Sequence, residues 1–176
     1  MKTYFPYIFV LLSVIVLFSC ENKMEPPRID LNAENIPEQE SWNSTVSFSD
    51  SGNVKAVLRA GHISAFKKKG YTLIDSGAKV DFYNKGVNVS TLTSKRGKVL
   101  EPSRNIEIYD SVVVVNQEGS ILKTEKLYWD NKTQKVSTDV YVKIKTPKEE
   151  VEGIGFLSDQ NLKNYTIYKV TGTFNQ

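Results

Sequence analysis

Ile121-Leu122-Lys123-Thr124-Glu125-Lys126-Leu127-Tyr128-Trp129-Asp130, then Val140-Tyr141-Val142-Lys143-Ile144-Lys145, then Val151-Glu152-Gly153-Ile154-Gly155-Phe156 form the stretch whose reading decides the fold. Val140, Val142 and Ile144 fall on one side of an extended chain, and Tyr141, Lys143 and Lys145 fall on the other. That period of two gives a strand one buried and one wet face, whereas a helix would scatter the same residues around its axis. Asp130-Asn131-Lys132-Thr133 and Thr146-Pro147-Lys148-Glu149 supply turn-forming residues between the apolar segments. From Gly119 to Phe156 the chain therefore reads as strand, turn, strand, turn, strand.

Working outward, the same grammar continues on both sides. Val46 and Phe48 precede the turn Ser49-Asp50-Ser51-Gly52, and Val54, Ala56, Leu58 and Ala60 alternate after it. Further punctuation falls at Asn84-Lys85-Gly86 and Glu118-Gly119, spacings that suit short antiparallel strands. Nothing after Cys20 offers a sustained helical stripe.

An internal repeat of about thirty residues underlies the pattern: a small residue, two others, then an apolar one. Its registers are Ala60 with Ile63, Ser94 with Gly97 (degenerate at Gly97), Thr124 with Leu127, and Gly153 with Phe156. Each leads into a further apolar strand: Tyr71 to Ile74 running on to Val80-Asp81-Phe82, Ile106 to Val115, Val136 to Ile144, and Tyr165 to Val170. A strand pair with one apolar face cannot bury it alone, so the repeats must stack, which predicts an all-β, twisted antiparallel jellyroll of about a dozen short strands.

The chain has 176 residues, 40% of them apolar and 11% aromatic, enough for one well-packed domain. A net charge of +3 without a dense basic stripe gives no footing for nucleic acid. A single cysteine excludes an intrachain disulfide, so the core alone must stabilise the domain.

That cysteine ends a different signal. Lys2 precedes an apolar run from Ile8 to Phe18, interrupted only by Ser13, and the run closes with Leu17-Phe18-Ser19-Cys20. The run is too short for a membrane-spanning helix, which needs about twenty residues, and reads as an export signal over residues 1–19. Leu17-Phe18-Ser19-Cys20 resembles the lipobox of bacterial lipoproteins, which makes Cys20 the expected acylated first residue. Residues 20–40, with Pro26, Pro27 and Pro37 among charges and amides, read as a tether, and residues 41–176 as the folded domain.

Three segments in this order carry a family resemblance: Phe48-Ser49-Asp50-Ser51-Gly52 with Leu58-Arg59-Ala60, then Gly119 through Asp130, then Gly153-Ile154-Gly155-Phe156-Leu157-Ser158-Asp159. Together they resemble LptC, the periplasmic component of lipopolysaccharide export, over roughly Trp42 to Phe174. The departure is at the N-terminus, where familiar members carry a spanning helix and this chain carries a lipobox-like sequence. The resemblance implies an LptA/LptC/OstA-like jellyroll, open along one seam. It would be anchored to the inner membrane, with outer-membrane anchoring left open. It would receive lipopolysaccharide from a transporter of LptB, LptF and LptG and pass it to LptA.

Inward residues would line the lipid groove, and the candidates are Leu58, Phe82, Leu92, Ile108, Leu127, Val142, Phe156 and Ile167. The partner edge for an LptA-like protein is expected in the last strand, at Tyr165, Ile167, Lys169 and Thr171. The first strand, from Trp42 to Leu58, is expected to face the transporter. The run Val112-Val113-Val114-Val115 reads as an inner strand buried on both faces.

Catalysis has little footing. His62 is the only histidine, Cys20 lies in the export signal, and neither a Gly-x-Ser-x-Gly elbow nor a phosphate-binding loop ending in Gly-Lys-Ser or Gly-Lys-Thr is present. No cofactor or metal cluster is expected. The alternative is a lipid-anchored domain that binds a glycan or an envelope protein, with Tyr71, Tyr128, Trp129, Tyr141 and Tyr168 forming an outer aromatic platform.

Overall fold

A computed structural model describes residues 35–175; the export segment, Cys20 and the tether up to residue 34 lie outside the described residues. The strands are β1 (Gln39–Asp50), β2 (Asn53–Phe66), β3 (Tyr71–Asn84), β4 (Val87–Ser94), β5 (Arg96–Leu100), β6 (Asn105–Asn116), β7 (Ile121–Asp130), β8 (Lys135–Lys145), β9 (Glu149–Asp159) and β10 (Tyr165–Asn175). They form one antiparallel sheet in the order β1-β2-β3-β4-β6-β7-β8-β9-β10, with β5 continuing the lane of β4 between β3 and β6. Tight turns make this simple meander possible: Ser51-Gly52 and Lys85-Gly86 each put two successive residues at positive φ, the twist-matched hairpin geometry.

The sheet is creased across its strands and folded on itself. The crease is marked by left-handed backbone at Asn43 in β1, Ser76 and Gly77 in β3, Asp110 and Ser111 in β6, and Gly155 in β9. Pairing slips register along the same line, between Ala60 and His62, Tyr109 and Val112, Thr124 and Tyr128, and Thr138 and Tyr141. Such bulges bend a strand and increase its local twist. The first leaf contains β4 and the second contains β5, while the other strands run through both. What reads in sequence as two short strands is thus one bent strand, and the described strands number ten, four of them long: β1 and β6 with 12 residues each, β2 and β3 with 14 each.

The crease explains the sequence repeat. In β2, along β4 and β5, in β7 and in β9, the last inward residue of the first leaf and the first inward residue of the second are Ala60 and Ile63, Ser94 and Gly97, Thr124 and Leu127, Gly153 and Phe156. Strict alternation would put residues i and i+3 on opposite faces, so a bulge must lie between them. Gly97 keeps the register despite lacking a side chain, because it sits opposite Ile74, which fills the space above it.

The leaves bury their inner faces against each other. Val112, Leu122, Val142 and Ile144 from the first leaf and Leu127, Val136 and Phe156 from the second form one cluster. A smaller cluster, Leu58, Ala60 and Ile74, continues it toward β1, with Val80 packed against both.

Two expectations are corrected. Val112 to Val115 is not buried on both faces: Val112 and Val114 point into the core, whereas Val113 is half-buried and Val115 is 40% exposed. Among the described residues nothing lies over the outer face of the first leaf, so β6 obeys ordinary alternation there. The first edge is β1 alone, because the hairpin at Asp50–Asn53 ends it and Leu58 belongs to β2.

Candidate groove and free sheet edges

Cross-strand pairing aligns inward residues into rows that run perpendicular to the strands, from β1 toward β10. In the second leaf one row passes through Ile63, Ile74, Gly97, Ile108 and Leu127, and Thr138 pairs with Phe156 and Phe156 with Ile167 farther along. In the first leaf another joins Val46, Leu58, Val80, Leu92, Val114, Leu122, Ile144 and Val151. All eight lining candidates occupy inward registers: Leu58, Phe82, Leu92 and Val142 in the first leaf, and Ile108, Leu127, Phe156 and Ile167 in the second. Leu58, Leu92, Ile108, Leu127, Val142 and Phe156 are buried, while Phe82 and Ile167 are partly buried and pack against the same cluster. The interior is therefore filled by its own side chains.

Among the described residues no charged side chain is fully buried in the interior, and the half-buried Glu149 carboxylate meets Tyr165 at its β9–β10 rim. Its buried polar groups are mainly hydroxyls, and the backbone accepts their hydrogen bonds: Thr124 Oγ1 donates to the Tyr141 carbonyl at 2.8 Å and Ser158 Oγ to the Asn164 carbonyl at 3.0 Å. Such a space can accommodate hydrocarbon but would strip water from a phosphate without replacing it. Tyr165 reaches in from β10, stacks on Phe156 with centroids 6.0 Å apart and donates to Glu149 at 3.0 Å. Burial and that hydrogen bond push its phenol up to about 12.

Charge is displayed outside. Asp81, on the outer face of the first leaf, accepts from Arg59 and from Thr91 Oγ1 at 2.8 Å, with Lys79 at 3.7 Å. Burial acts to raise its pKa, but those bonds and charges outweigh burial and hold it below the usual carboxylate value. Lys143 bridges Glu150 and Glu152, and the hydrogen bonds to both raise its pKa.

The sheet does not close, since β1 and β10 are its two ends and do not pair with each other. At the β1 end Phe48 shares the row of Ala56 and Phe82 yet is exposed, and at the β10 end Val170, opposite Gly153, is exposed as well. Of the expected partner-edge residues, Tyr165 and Ile167 point inward, Lys169 pairs outward with Ile154, and Thr171 falls at a bulge between Val170 and Gly172. They share the edge but not one face.

The aromatic platform does not form. Trp129 packs against the core, Tyr71 packs at a tilt against Phe66 in β2, Tyr128 lies beneath Lys126, and only Tyr141 and Tyr168 of the five stand exposed. His62 has Asp75 at 3.1 Å from Nδ1 and Ser64 Oγ at 3.3 Å from Nε2, the order of a nucleophilic triad. Glu40 lies equally close to Nε2 at 3.3 Å, and Ser64 is 6% exposed, so no free, solvent-facing nucleophile results. Among the described residues no group of His, Cys, Asp and Glu side chains is arranged to hold a metal ion.

Sequence reasoning missed the loop after β9, where Leu162 is buried. Its signal was a lone apolar residue among Asp159, Gln160, Asn161 and Lys163, easily read as a solvated turn.

The family model described as lipopolysaccharide-assembly, LptC-related, matches residues 7–175, almost the entire chain. A comparison with curated proteins finds no match. No helix among the described residues is long and apolar enough to cross a membrane. With its folded sheet and apolar interior, the chain belongs to the LptC-related lipopolysaccharide-assembly family, whose members are periplasmic, inner-membrane-associated transport components.

Proposed function

We propose that this chain is a lipid-anchored periplasmic carrier, held to the inner membrane through acylated Cys20. It accepts lipopolysaccharide from the LptB, LptF and LptG transporter at its β1 edge and hands it to an LptA-like bridge at its β10 edge. The observation that carries this reading is the run of inward apolar rows between two unpaired edges, ending in exposed inward residues at both. An unpaired edge is a template for another chain's strand, and a strand added there would extend the same rows.

Energetics limit how the lipid is held. Complete burial of a fourteen-carbon chain is worth on the order of 10 kcal/mol at about 0.8 kcal/mol per methylene, too tight for onward transfer. The carrier therefore binds acyl chains partly buried, leaves sugars and phosphates in water, and relies on ATP hydrolysis in the transporter for direction.

The test places a photo-crosslinking residue at Ile108, Val142, Phe156 or Ile167 in cells, with outward Lys143 as control. Lipopolysaccharide adducts at the inward positions that vanish when transporter ATP hydrolysis is blocked support the carrier. Their absence in well-folded protein favours the second reading, a sealed envelope domain that binds a glycan or partner protein, for which the complete burial of Leu127, Val142 and Phe156 speaks.

A further inference from the structure

The loop joining β9 to β10 reaches from the second leaf across to the first. Asp159 shapes it, its carboxylate accepting from the Asn161 and Lys163 N–H groups and from Asn164 Nδ2. From this turn the Gln160 carbonyl accepts from Ser90 Oγ at 3.5 Å and the Asn161 carbonyl from Asn116 Nδ2 at 3.0 Å, while Lys163 Nζ lies 2.6 Å from the Glu118 carboxylate. Ser90, Asn116 and Glu118 all belong to the first leaf, in β4, at the end of β6 and in the turn after it. Tyr165, the first residue of β10, crosses in the same direction to Glu149. Among the described residues, every polar side-chain contact that joins the leaves away from the crease comes from this loop and Tyr165. Leu162, 3% exposed, sits under the loop as part of the main core cluster.

This closure is held against opposing terms. Leu162 has a φ of +57°, a left-handed conformation that a branched side chain resists, and Asn161 Oδ1 is buried with no hydrogen-bond partner. Both terms are relieved when the loop lifts, whereas the hairpin turns at Ser51-Gly52 and Lys85-Gly86 hold nothing between the leaves. The core behind the loop is apolar, with the Glu149 carboxylate at its rim, so its replacement occupant is a hydrocarbon chain.

We propose that loop 160–164 is a displaceable latch over the space between the leaves, with Leu162 filling the place that an acyl chain of lipopolysaccharide takes when the latch lifts. The proposal rests on the carrier reading and assigns it a gate. Closed, the latch keeps the empty carrier's interior dry. Displaced, it frees the leaves to part at the side opposite the crease, which reconciles a filled core with lipid entry.

The test uses the full-length, membrane-anchored protein with Glu118→Cys and Lys163→Cys together, joined by a reducible bis-maleimide linker that spans the reach of the ion pair, and a photo-crosslinker at Ile167, exposed to lipopolysaccharide in linked and reduced states. Linking is expected to lower the adduct yield at Ile167 by about tenfold, with recovery on reduction, since a locked state removes the binding-competent population. Leu162→Ala without the cysteine pair is expected to raise both the adduct yield and the amide exchange of residues 116–120. Equal adducts in the linked and reduced states overturn the latch, as does failure of the linker to join the cysteine pair in the resting protein. No adduct even in the reduced protein and in the protein without the cysteine pair removes the carrier reading, and the latch with it.

Discussion

Replacing Phe156 by alanine, with Leu157→Ala as its neighbour, tests the crease at the point where the chain breaks its own alternation. Counted from Val151 and Gly153 in steps of two, Leu157 should be inside and Phe156 outside. The bulge at Gly155, with φ +79°, reverses this: Phe156 is 0% exposed and Leu157 is 36% exposed. Only glycine adopts that backbone conformation at low cost while Tyr168 packs across it. Loss of a fully buried phenylalanine costs about 3–5 kcal/mol, a figure that includes its stacking on Tyr165. A partly exposed leucine on the outer face costs about 1 kcal/mol or less. For a domain of this size each kcal/mol moves Tm by about 2–4 °C, so Phe156→Ala is expected to lower it by roughly 6–20 °C. Urea and thermal unfolding of the full chain, followed by far-ultraviolet circular dichroism, read both variants. A Leu157→Ala loss equal to or larger than that of Phe156→Ala would refute the creased arrangement of β9.

Other perturbations probe the β10 side of the fold. A Cβ at Gly153 would collide with Ile167 Cγ2 and the Lys169 carbonyl, so Gly153→Ala is expected to cost about 1–3 kcal/mol and to speed amide exchange in β10 more than in β2. Unchanged β10 exchange would contradict that close approach. Tyr165, raised from 10.0 to about 12, is held neutral in the fold; its contribution is complete below pH 10 and is lost as pH rises from about 10 to 12. Wild type should therefore lose on the order of 2 kcal/mol more than Tyr165→Phe across that window, measured by urea unfolding at each pH, and parallel curves would remove the Tyr165–Glu149 bond from the account.

The crease also bears on transport, because it decides what can move. Strand pairing is continuous within each leaf, and the bulges hold the leaves together along one line only. On the opposite side, among the described residues, the polar joining contacts are those of Ser90, Asn116 and Glu118 with loop 160–164 and of Tyr165 with Glu149. Parting the leaves there would cost those contacts and some core packing, but no ladder of backbone hydrogen bonds. A closed barrel of the same strands would have no such line of weakness.

Much of this architecture is local chemistry and was legible without coordinates. Alternation in Val142-Lys143-Ile144-Lys145 needs only tetrahedral carbon and an extended chain, and the turn residues need only their own torsional preferences. The spacing of Thr124 to Leu127 and of Gly153 to Phe156 already held the crease, since two inward residues three apart cannot lie on an unbroken strand. The family resemblance rested on those same segments, and the inward registers of all eight lining candidates follow from the same periodicity. What alternation cannot state is what lies over a face. Val113 and Val115 look as buried as Val112 and Val114 in sequence, and Val115 is exposed because no described element lies over the outer face of the first leaf. Trp129 reads as a surface aromatic until the opposite leaf covers it. Leu162 reads as part of a polar turn until residues from β4, β6 and the turn after β6, some forty to seventy positions away, close over its loop. The sequence by itself determined the all-β alternation, the inward faces and the repeat whose registers flank the bends. The tertiary structure alone decided which outer faces stay wet, where the sheet ends and which loop shuts the interior, because those depend on contacts between residues that share no local pattern.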